Sequence, residues 1–318
     1  MTMLDGGAQG PAVRSSTMTP WLGPASYWQP AHVVTSAWLE HAPFGFWLID
    51  EVRPRSVVEL GTHAGFSFFV FAEAVKRLGI VTELHALDTW RGDDQSGYYD
   101  DDVYDGVRAI AEREYPGFTH LLRGYFSDSR PLIADDSVDL LHVDGRHGYD
   151  DAREDYEEWV GTVRDGGVVL FHDIAERSDG FGVWQLWEEL AAEHPSFEFV
   201  HGHGLGVMGV GEVRSRGLGA LFDADAATTR EVRSTYERLG AVVSRQAKLE
   251  AMPAEVDSLH VVVDSLSGEI DRLKGVIAQR EAAIDEVLSS TSWKVSKPVR
   301  VVGGLLQRHP KAEPDEGA

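Results

Sequence analysis

The fold of this chain is constrained most by the regular alternation of short β-branched segments with helical segments between residues 56 and 212. The segments with strand character are, in order, SVVEL, TELHALD, THLLRG, SVDLLHVD and VVLFHD. Strands that alternate with helices imply a parallel sheet with helices packed on both faces. Two further segments, FEFVHG and LGVMGVG, follow the last helix and predict an antiparallel hairpin at or near one edge. The pattern therefore predicts a doubly wound α/β domain.

The turn after the first strand is a candidate ligand site. In VVELGTHAGFSF, Glu59 precedes two glycines, Gly61 and Gly65, whose spacing is not the G-x-G-x-x-G of dinucleotide sites. Glycine lets a ligand approach the backbone closely, and an acid here suits an ammonium group rather than a pyrophosphate. The second strand ends at Asp88, a position from which a carboxylate accepts hydrogen bonds from ribose hydroxyls. S-adenosylmethionine carries both groups.

The two segments VVELGTHAGFSF and LHALDTW together resemble the cofactor-binding half of the class I methyltransferases. The resemblance implies a Rossmann-like sheet and S-adenosylmethionine as the cofactor. The residues expected to hold this cofactor are Glu59, Gly61, Thr62, Gly65 and Asp88.

Acids also end the fourth and fifth strands, at Asp144 and Asp173. Because the carboxyl ends of neighbouring parallel strands meet at one edge of the sheet, we expect these carboxylates to lie near the methyl donor. Two carboxylates, together with water and substrate oxygens, suit Mg²⁺ or a similar hard cation. His147, three residues after Asp144, is then a candidate general base for an acceptor hydroxyl. The simpler alternative is that Asp144 is only a polar strand end.

This part of the sequence resembles the metal-dependent O-methyltransferases, including the catechol type and those that act on sugars. In the catechol type an aspartate ligand ends the fourth strand and a lysine base lies three positions later, where this chain has His147. An Asp-Asn ligand pair follows the fifth strand of that type. Asp173 matches its first member, but Ile174 replaces the second. Two candidates therefore remain for the third metal ligand, His172 and a water molecule.

The segment DTWRGDDQSGYYDDDVYDG, which begins at Asp88, combines seven aspartates with three tyrosines and one tryptophan. Aromatic rings interleaved with carboxylates suit a carbohydrate. Residues 35–210 also resemble a bacterial methyltransferase subfamily found among polysaccharide and natural-product genes. We therefore expect transfer of a methyl group to a sugar hydroxyl, in cell-surface polysaccharide synthesis. The alternatives are a small phenolic or macrolide-type acceptor, and a non-catalytic assembly subunit.

The chain is expected to divide into four parts: a flexible lead-in (1–30), the methyltransferase domain (31–215), a helical coiled-coil region (226–290) and a basic tail (291–318). Within the third part, apolar residues recur at alternating intervals of three and four, interrupted only by Arg280. The residues of this heptad seam are Val256, Leu259, Val263, Leu266, Ile270, Leu273, Ile277, Ile284 and Val287. Such a seam predicts a coiled coil and a homo-oligomer, leaning toward a parallel dimer. An amphipathic helix folded back on its own domain is the alternative.

The tail segment SSTSWKVSKPVRVVGGLLQR resembles the Ser-Trp-Lys-x-x-x-Pro-x-Arg end of coiled coils in some bacterial cell-surface glycosyltransferases. With its basic and apolar residues it could dock on a membrane surface or on glycan-synthesis enzymes, or be a disordered basic tail. The formal charge of −23 argues against a duplex nucleic-acid partner. The absence of cysteine excludes thiol chemistry, and neither a secretory signal nor a bilayer-spanning run is evident, so we expect a cytoplasmic protein.

Overall fold

The computed structural model describes residues 19–93 and 97–300, and the chain divides into two compact units, residues 1–250 and 251–318. The strands are β1 (Ser56–Leu60), β2 (Glu83–Asp88), β3 (Gly92–Asp93), β4 (Gly97–Tyr98), β5 (Thr119–Arg123), β6 (Val138–Val143), β7 (Val163–His172), β8 (Ser196–Phe199) and β9 (Leu205–Gly209). The main sheet has the order β5-β2-β1-β6-β7-β9-β8. Strand β9 is antiparallel to both β7 and β8, and the other pairings within this main sheet are parallel. The predicted doubly wound, Rossmann-like sheet with a C-terminal antiparallel hairpin is confirmed.

The helices are α1 (Ala42–Val52), α2 (Phe66–Leu78), α3 (Asp101–Glu114), α4 (Phe126–Ser129), α5 (Tyr149–Trp159), α6 (Val183–Glu193), α7 (Arg216–Phe222), α8 (Ala226–Ser289) and α9 (Thr291–Val295). Short 3₁₀ segments lie at Pro24–Tyr27, Ala37–His41, Arg130–Leu132 and Val160–Thr162. Helix α2 ends at Gly79, whose φ of 61° places it in the left-handed region that favours glycine at a helix end. The ribbon formed by β3 and β4, within the aspartate-rich segment, was not predicted.

Side chains of the sheet alternate between two apolar cores, one on each face. Val57 packs with residues of α1 and α2, whereas Val58 and Leu60 pack with residues of α5 and α6. Because both faces are covered, a central strand such as β6 is buried at every position. This burial explains why the central strands appear in the sequence as largely apolar runs rather than as an alternation of apolar and polar residues.

The first compact unit extends beyond the boundaries that we expected for the methyltransferase domain. Trp21 and Ala25, inside the expected lead-in, are buried in the core that contains α1 and α2. Val232 and Tyr236, from the first part of α8, are buried in the same core. The Tyr236 hydroxyl donates to the Trp21 carbonyl at 2.8 Å and lies 3.1 Å from the Ser26 hydroxyl. Residues distant in the sequence therefore close this face of the domain together.

Helix α8 continues into the second unit and carries the heptad seam. Pro253 lies inside α8, so the helix that carries the seam does not begin at this proline. The nine apolar residues of the seam are between 42% and 59% exposed. The structure confirms that the seam is helical, while the coiled coil itself stays a prediction.

The tail is described as far as residue 300. Trp293 lies in α9, and the Arg300 guanidinium lies 3.6 Å from the centre of its ring. The tail residues Val301, Val302, Leu305, Leu306, Arg308 and Lys311, like residues 1–18 of the expected lead-in, lie outside the described residues. Across residues 19–93 and 97–300, no helix is both long and apolar enough to cross a bilayer.

The packing of α8 on the domain is testable with Tyr236→Ala. The Tyr236 ring is completely buried and meets the edges of Phe44 and Phe199. We expect its removal to lower the free energy of unfolding by about 3–5 kcal/mol, measured by urea denaturation. Tyr27→Ala, at a side chain that is 59% exposed, is the matched control and should cost less than about 0.5 kcal/mol. Equal losses in the two variants would contradict this packing.

Candidate active site

A cavity of about 1360 Å³ opens at the carboxyl ends of β1, β2, β6 and β7. Pockets for one small molecule usually occupy about 300–1,000 Å³, so this cavity has room for two ligands side by side. The expected site residues that line it are Gly61, Thr62, Asp88, Asp144, His147, His172 and Asp173. Doubly wound sheets bind their ligands at this edge.

The turn after β1 depends on two glycines with positive φ, 88° at Gly61 and 82° at Gly65. Gly65 also caps the start of α2. A Cβ atom on Gly61 would lie 1.8 Å from the carbonyl oxygen of Asp144. Only glycine permits this approach, which packs the turn after β1 directly against the end of β6.

Asp88 holds the turn in place from the end of β2. One carboxylate oxygen accepts hydrogen bonds from the backbone N–H groups of Thr62 (3.0 Å) and His63 (2.8 Å). The other oxygen accepts the N–H of Trp90 at 2.7 Å. Each oxygen can accept more than one hydrogen bond, so the carboxylate can brace the turn and still face the cavity that it lines.

Glu59 does not reach the cavity. Its side chain is completely buried, and one carboxylate oxygen lies 2.9 Å from Nδ1 of His142, its register partner on β6. The other oxygen is buried without a hydrogen-bond partner. We expected Glu59 to meet the ammonium group of the cofactor, whereas the structure places it beneath the turn, inside the sheet. Its contact with His142 supports β1 and β6 instead.

Asp144, His147 and Asp173 converge on one point of the cavity wall. One potential ligand atom from each residue lies within 4.8 Å of those of the other two. Nε2 of His147 lies 3.0 Å from Oδ2 of Asp173, and its ring stacks on Phe181 with 4.7 Å between the ring centres. Asp173 has a φ of 60°, an uncommon conformation for a residue other than glycine that concentrates at functional sites. The structure therefore brings together the two acids and the histidine that the sequence singled out.

His172 is placed differently from a metal ligand. Its Nδ1 lies 3.2 Å from Oδ1 of Asp144 and 3.4 Å from Oδ1 of Asp173. Its Nε2 lies 3.3 Å from the carbonyl oxygen of Gly202. Both nitrogens therefore face oxygen atoms of the protein, and neither is left to bind a cation in this arrangement. The structure favours His147 over His172 as the histidine nearest the candidate cation position.

The charges of the acids dominate the electrostatics of this group. Burial alone would lower the pKa of His147, but the hydrogen bond to Asp173 and the charges of Asp173 and Asp144 outweigh it and raise the pKa. Burial would raise the pKa of Asp173, but its hydrogen bonds to His147 and His172 hold it far below the usual value. Asp173 is therefore ionised at neutral pH.

Sequence reasoning missed Asp155, which lines the same cavity from α5. Burial, followed by the nearby charges of Asp151, Glu154 and Glu158, raises the pKa of Asp155 from 3.8 to about 7. A Cβ atom on Gly145 would lie 2.6 Å from the Asp155 carboxylate, so glycine after Asp144 makes room for it. The run of acids in DDAREDYEE was the available signal, although it does not show which acid turns inward.

Comparisons with known proteins agree with this geometry. Residues 58–174 match the family model described as "Methyltransferase domain". A Sinorhizobium fredii protein, described as uncharacterized protein y4gI, is 50% identical over 186 residues. That match covers 58% of this chain but only 20% of the relative, so the chain spans about a fifth of that protein's length. The family match supports a methyltransferase domain across residues 58–174, and the strand order is that of a Rossmann-like fold.

Solved structures show a more distant likeness. An O-methyltransferase from Bacillus cereus in complex with SAH is 19% identical with a TM-score of 0.42, covering 57% of this chain and 84% of that one. TomG from Streptomyces achromogenes, an O-methyltransferase involved in tomaymycin synthesis and solved with SAM, is 17% identical with a TM-score of 0.41. That match covers 60% of this chain and 97% of TomG. At these scores neither likeness assigns an activity or a substrate.

The raised pKa of Asp155 predicts a pH dependence of stability. The folded state disfavours the ionised carboxyl of Asp155, so ionisation of this group lowers the free energy of unfolding. This loss is absent below about pH 4 and grows until the pH passes about 7. Asp155→Asn removes this cost, so its advantage over the wild type should grow by about 2 kcal/mol between about pH 5.5 and pH 8. Urea denaturation at the two pH values measures it. Glu157→Gln, at an exposed acid of the same helix, should show no such growth.

Proposed function

We propose that this chain is an S-adenosylmethionine-dependent O-methyltransferase that uses Mg²⁺ or a similar divalent cation and methylates a sugar hydroxyl, in cell-surface polysaccharide synthesis. The observation that carries the proposal is the convergence of Asp144, His147 and Asp173 directly beside the glycine turn of the cofactor site. An acid pair and a base next to a methyl donor suit transfer to a hydroxyl oxygen.

The residues around the turn fit the cofactor. The Thr62 hydroxyl oxygen is buried without a hydrogen-bond partner and belongs to the cavity wall, so it is available to a bound ligand. The first turn of α2, at Phe66 and Ser67, also lines the cavity. Backbone N–H groups at a helix start lack partners within the helix and stabilise a carboxylate such as that of the methionine moiety. We propose Asp88, at the end of β2, as the acceptor of the ribose hydroxyls.

The donor set at the cavity wall fits a divalent cation. We assign Asp144 and Asp173 as its protein ligands, with His147 within reach of the same position. Carboxylate oxygens suit Mg²⁺ and Mn²⁺, and an imidazole nearby favours Mn²⁺ among these. When bound, such a cation lowers the pKa of an acceptor hydroxyl and so makes it a better nucleophile.

His147 is the proposed general base. As the acceptor oxygen forms its bond to the methyl carbon, the methyl–sulfur bond breaks and S-adenosylhomocysteine is left. The hydroxyl proton passes to the neutral imidazole of His147, and the adjacent Asp173 carboxylate stabilises the imidazolium that results. Stacking on Phe181 holds the ring in orientation.

The sugar acceptor is supported by exposed aromatic rings around the cavity. Tyr98, in the aspartate-rich segment, is 80% exposed, and Tyr125, after β5, is 70% exposed, and both line the cavity. The carboxylate of Asp101 lies in the same wall. Rings that stack on a sugar face, beside acids that accept its hydroxyl hydrogens, are suited to a carbohydrate.

The cofactor assignment is tested by calorimetric titration of S-adenosylhomocysteine into the protein, with and without Mg²⁺. We expect micromolar affinity, weakened about 5- to 10-fold in Thr62→Val because the ligand loses its hydrogen bond to the Thr62 hydroxyl. Thr119→Val, whose hydroxyl bonds Tyr115 outside the cavity wall, should bind as the wild type does. An absence of binding under both conditions would overturn the proposed function.

The roles of the acids and of His147 are separated by two variants. His147→Gln should lower the rate of methyl transfer to methyl hexosides by about 10²- to 10⁴-fold and leave Mn²⁺ affinity, measured by calorimetry, unchanged. Asp144→Asn should weaken Mn²⁺ binding and abolish turnover while it retains S-adenosylhomocysteine. His194→Gln, outside the cavity wall, is the control.

Two results would change these assignments. Equal losses of Mn²⁺ affinity in His147→Gln and Asp144→Asn would make His147 a metal ligand rather than the base. Wild-type protein that binds S-adenosylhomocysteine but methylates no glycoside would overturn the sugar acceptor alone.

A further inference from the structure

The heptad seam of α8 has a composition that distinguishes between kinds of helix pairing. With Val256 placed at heptad position a, every a residue is β-branched: Val256, Val263, Ile270, Ile277 and Ile284. The d residues are Leu259, Leu266, Leu273, Arg280 and Val287. Isoleucine or valine at a together with leucine at d favours two parallel strands over three or four. A helix face that was exposed only to solvent would not require β-branched residues at a and leucine at most d positions.

Charged residues beside the seam point to the same arrangement. In a parallel pair, position g of one helix faces position e, five residues later, on the other helix. Glu269 is a g residue and Lys274 is the e residue five positions later. In a parallel pair, Glu269 of each copy therefore faces Lys274 of the other, which gives two pairs of opposite charge. Within one chain Glu269 pairs with Arg272 and Lys274 with Asp271, but all four side chains are at least half exposed. Exposed pairs of this kind contribute little and exchange readily.

Arg280 sets the register. In an in-register pair the two Arg280 side chains share a single d layer, at a cost in stability. A shift by one heptad would place each arginine opposite an apolar residue and create two such layers instead of one. The acid at the neighbouring e position, Glu281, provides a counter-charge beside the in-register layer. The interruption of the seam therefore selects one alignment.

We propose that residues 256–287 pair with the same segment of a second copy of this chain as a parallel, in-register, two-stranded coiled coil. The occupant of the exposed seam is thus another copy. The pairing does not depend on the enzymatic activity proposed above, so each can fail without the other.

The orientation is testable because the chain contains no cysteine. Val263→Cys introduces one thiol at an a position well away from the middle of the seam. Under mild oxidation of the full chain, we expect most of the protein to form a disulfide-linked dimer on a non-reducing gel. Val261→Cys, at the outward f position of the preceding heptad and 69% exposed, should cross-link at least 10-fold less.

An antiparallel pair would give the opposite pattern. It would place residue 263 near residue 280 of the other copy, so a mixture of Val263→Cys and Arg280→Cys chains would form the mixed disulfide while Val263→Cys alone would not. That result, or equal cross-linking by Val263→Cys and Val261→Cys, would overturn the proposal.

The stoichiometry is tested by sedimentation equilibrium of the full chain. The wild type is expected to be a dimer, and Leu266→Glu combined with Leu273→Glu should become monomeric. Both side chains are exposed within one chain, so this double change should leave the circular dichroism of the first unit intact. Arg280→Leu should tighten the dimer by at least 10-fold. A monomeric wild type, a trimer or tetramer, or a double variant that stays dimeric would each refute the pairing.

Discussion

The close approach of Gly61 to the carbonyl oxygen of Asp144 is the constraint on which the site depends. A side chain at position 61 would collide with the end of β6, so its absence lets two strand-end turns share one wall of the cavity. The cofactor turn and the acid at the end of β6 are thereby neighbours, although they are far apart in the sequence. Asp88 reinforces this contact, because its carboxylate binds the backbone of Thr62 and His63 rather than their side chains. The proposed cofactor and cation positions would thus be set by backbone geometry.

Much of this arrangement was predictable because it follows from local patterns. Strand and helix periodicities extend over five to fourteen residues and can be recognised without knowledge of the distant segments against which they pack. The rule that parallel strands present their carboxyl ends at one edge then brings Asp144 and Asp173 together without any coordinates. The same rule, joined to the glycine spacing, predicts a cofactor site at the turn that contains Gly61. Each of these inferences uses only which residue ends a strand.

The remaining features depend on side-chain direction and on contacts between distant segments. The period of two along β1 places Glu59 on the same face as Val57, toward α2, which is a local signal against a contact of Glu59 with the cofactor. No local pattern shows that His172 turns toward Gly202, or that burial and nearby acids raise the pKa of Asp155. The packing of Trp21 against α8 also cannot be predicted from a local pattern, because it joins residues over 200 positions apart in the sequence.

Pro253 has a consequence for how the molecule loses its structure. It lies between Glu250, where the first compact unit ends, and Val256, where the seam begins, and it cannot donate the backbone hydrogen bond that a helix needs at that point. Helical order propagates through consecutive hydrogen bonds, so a missing bond weakens the transmission of melting from one side to the other. We therefore expect the globular unit and the seam to unfold as separate cooperative units, each with its own midpoint, so that no single midpoint would describe the whole chain.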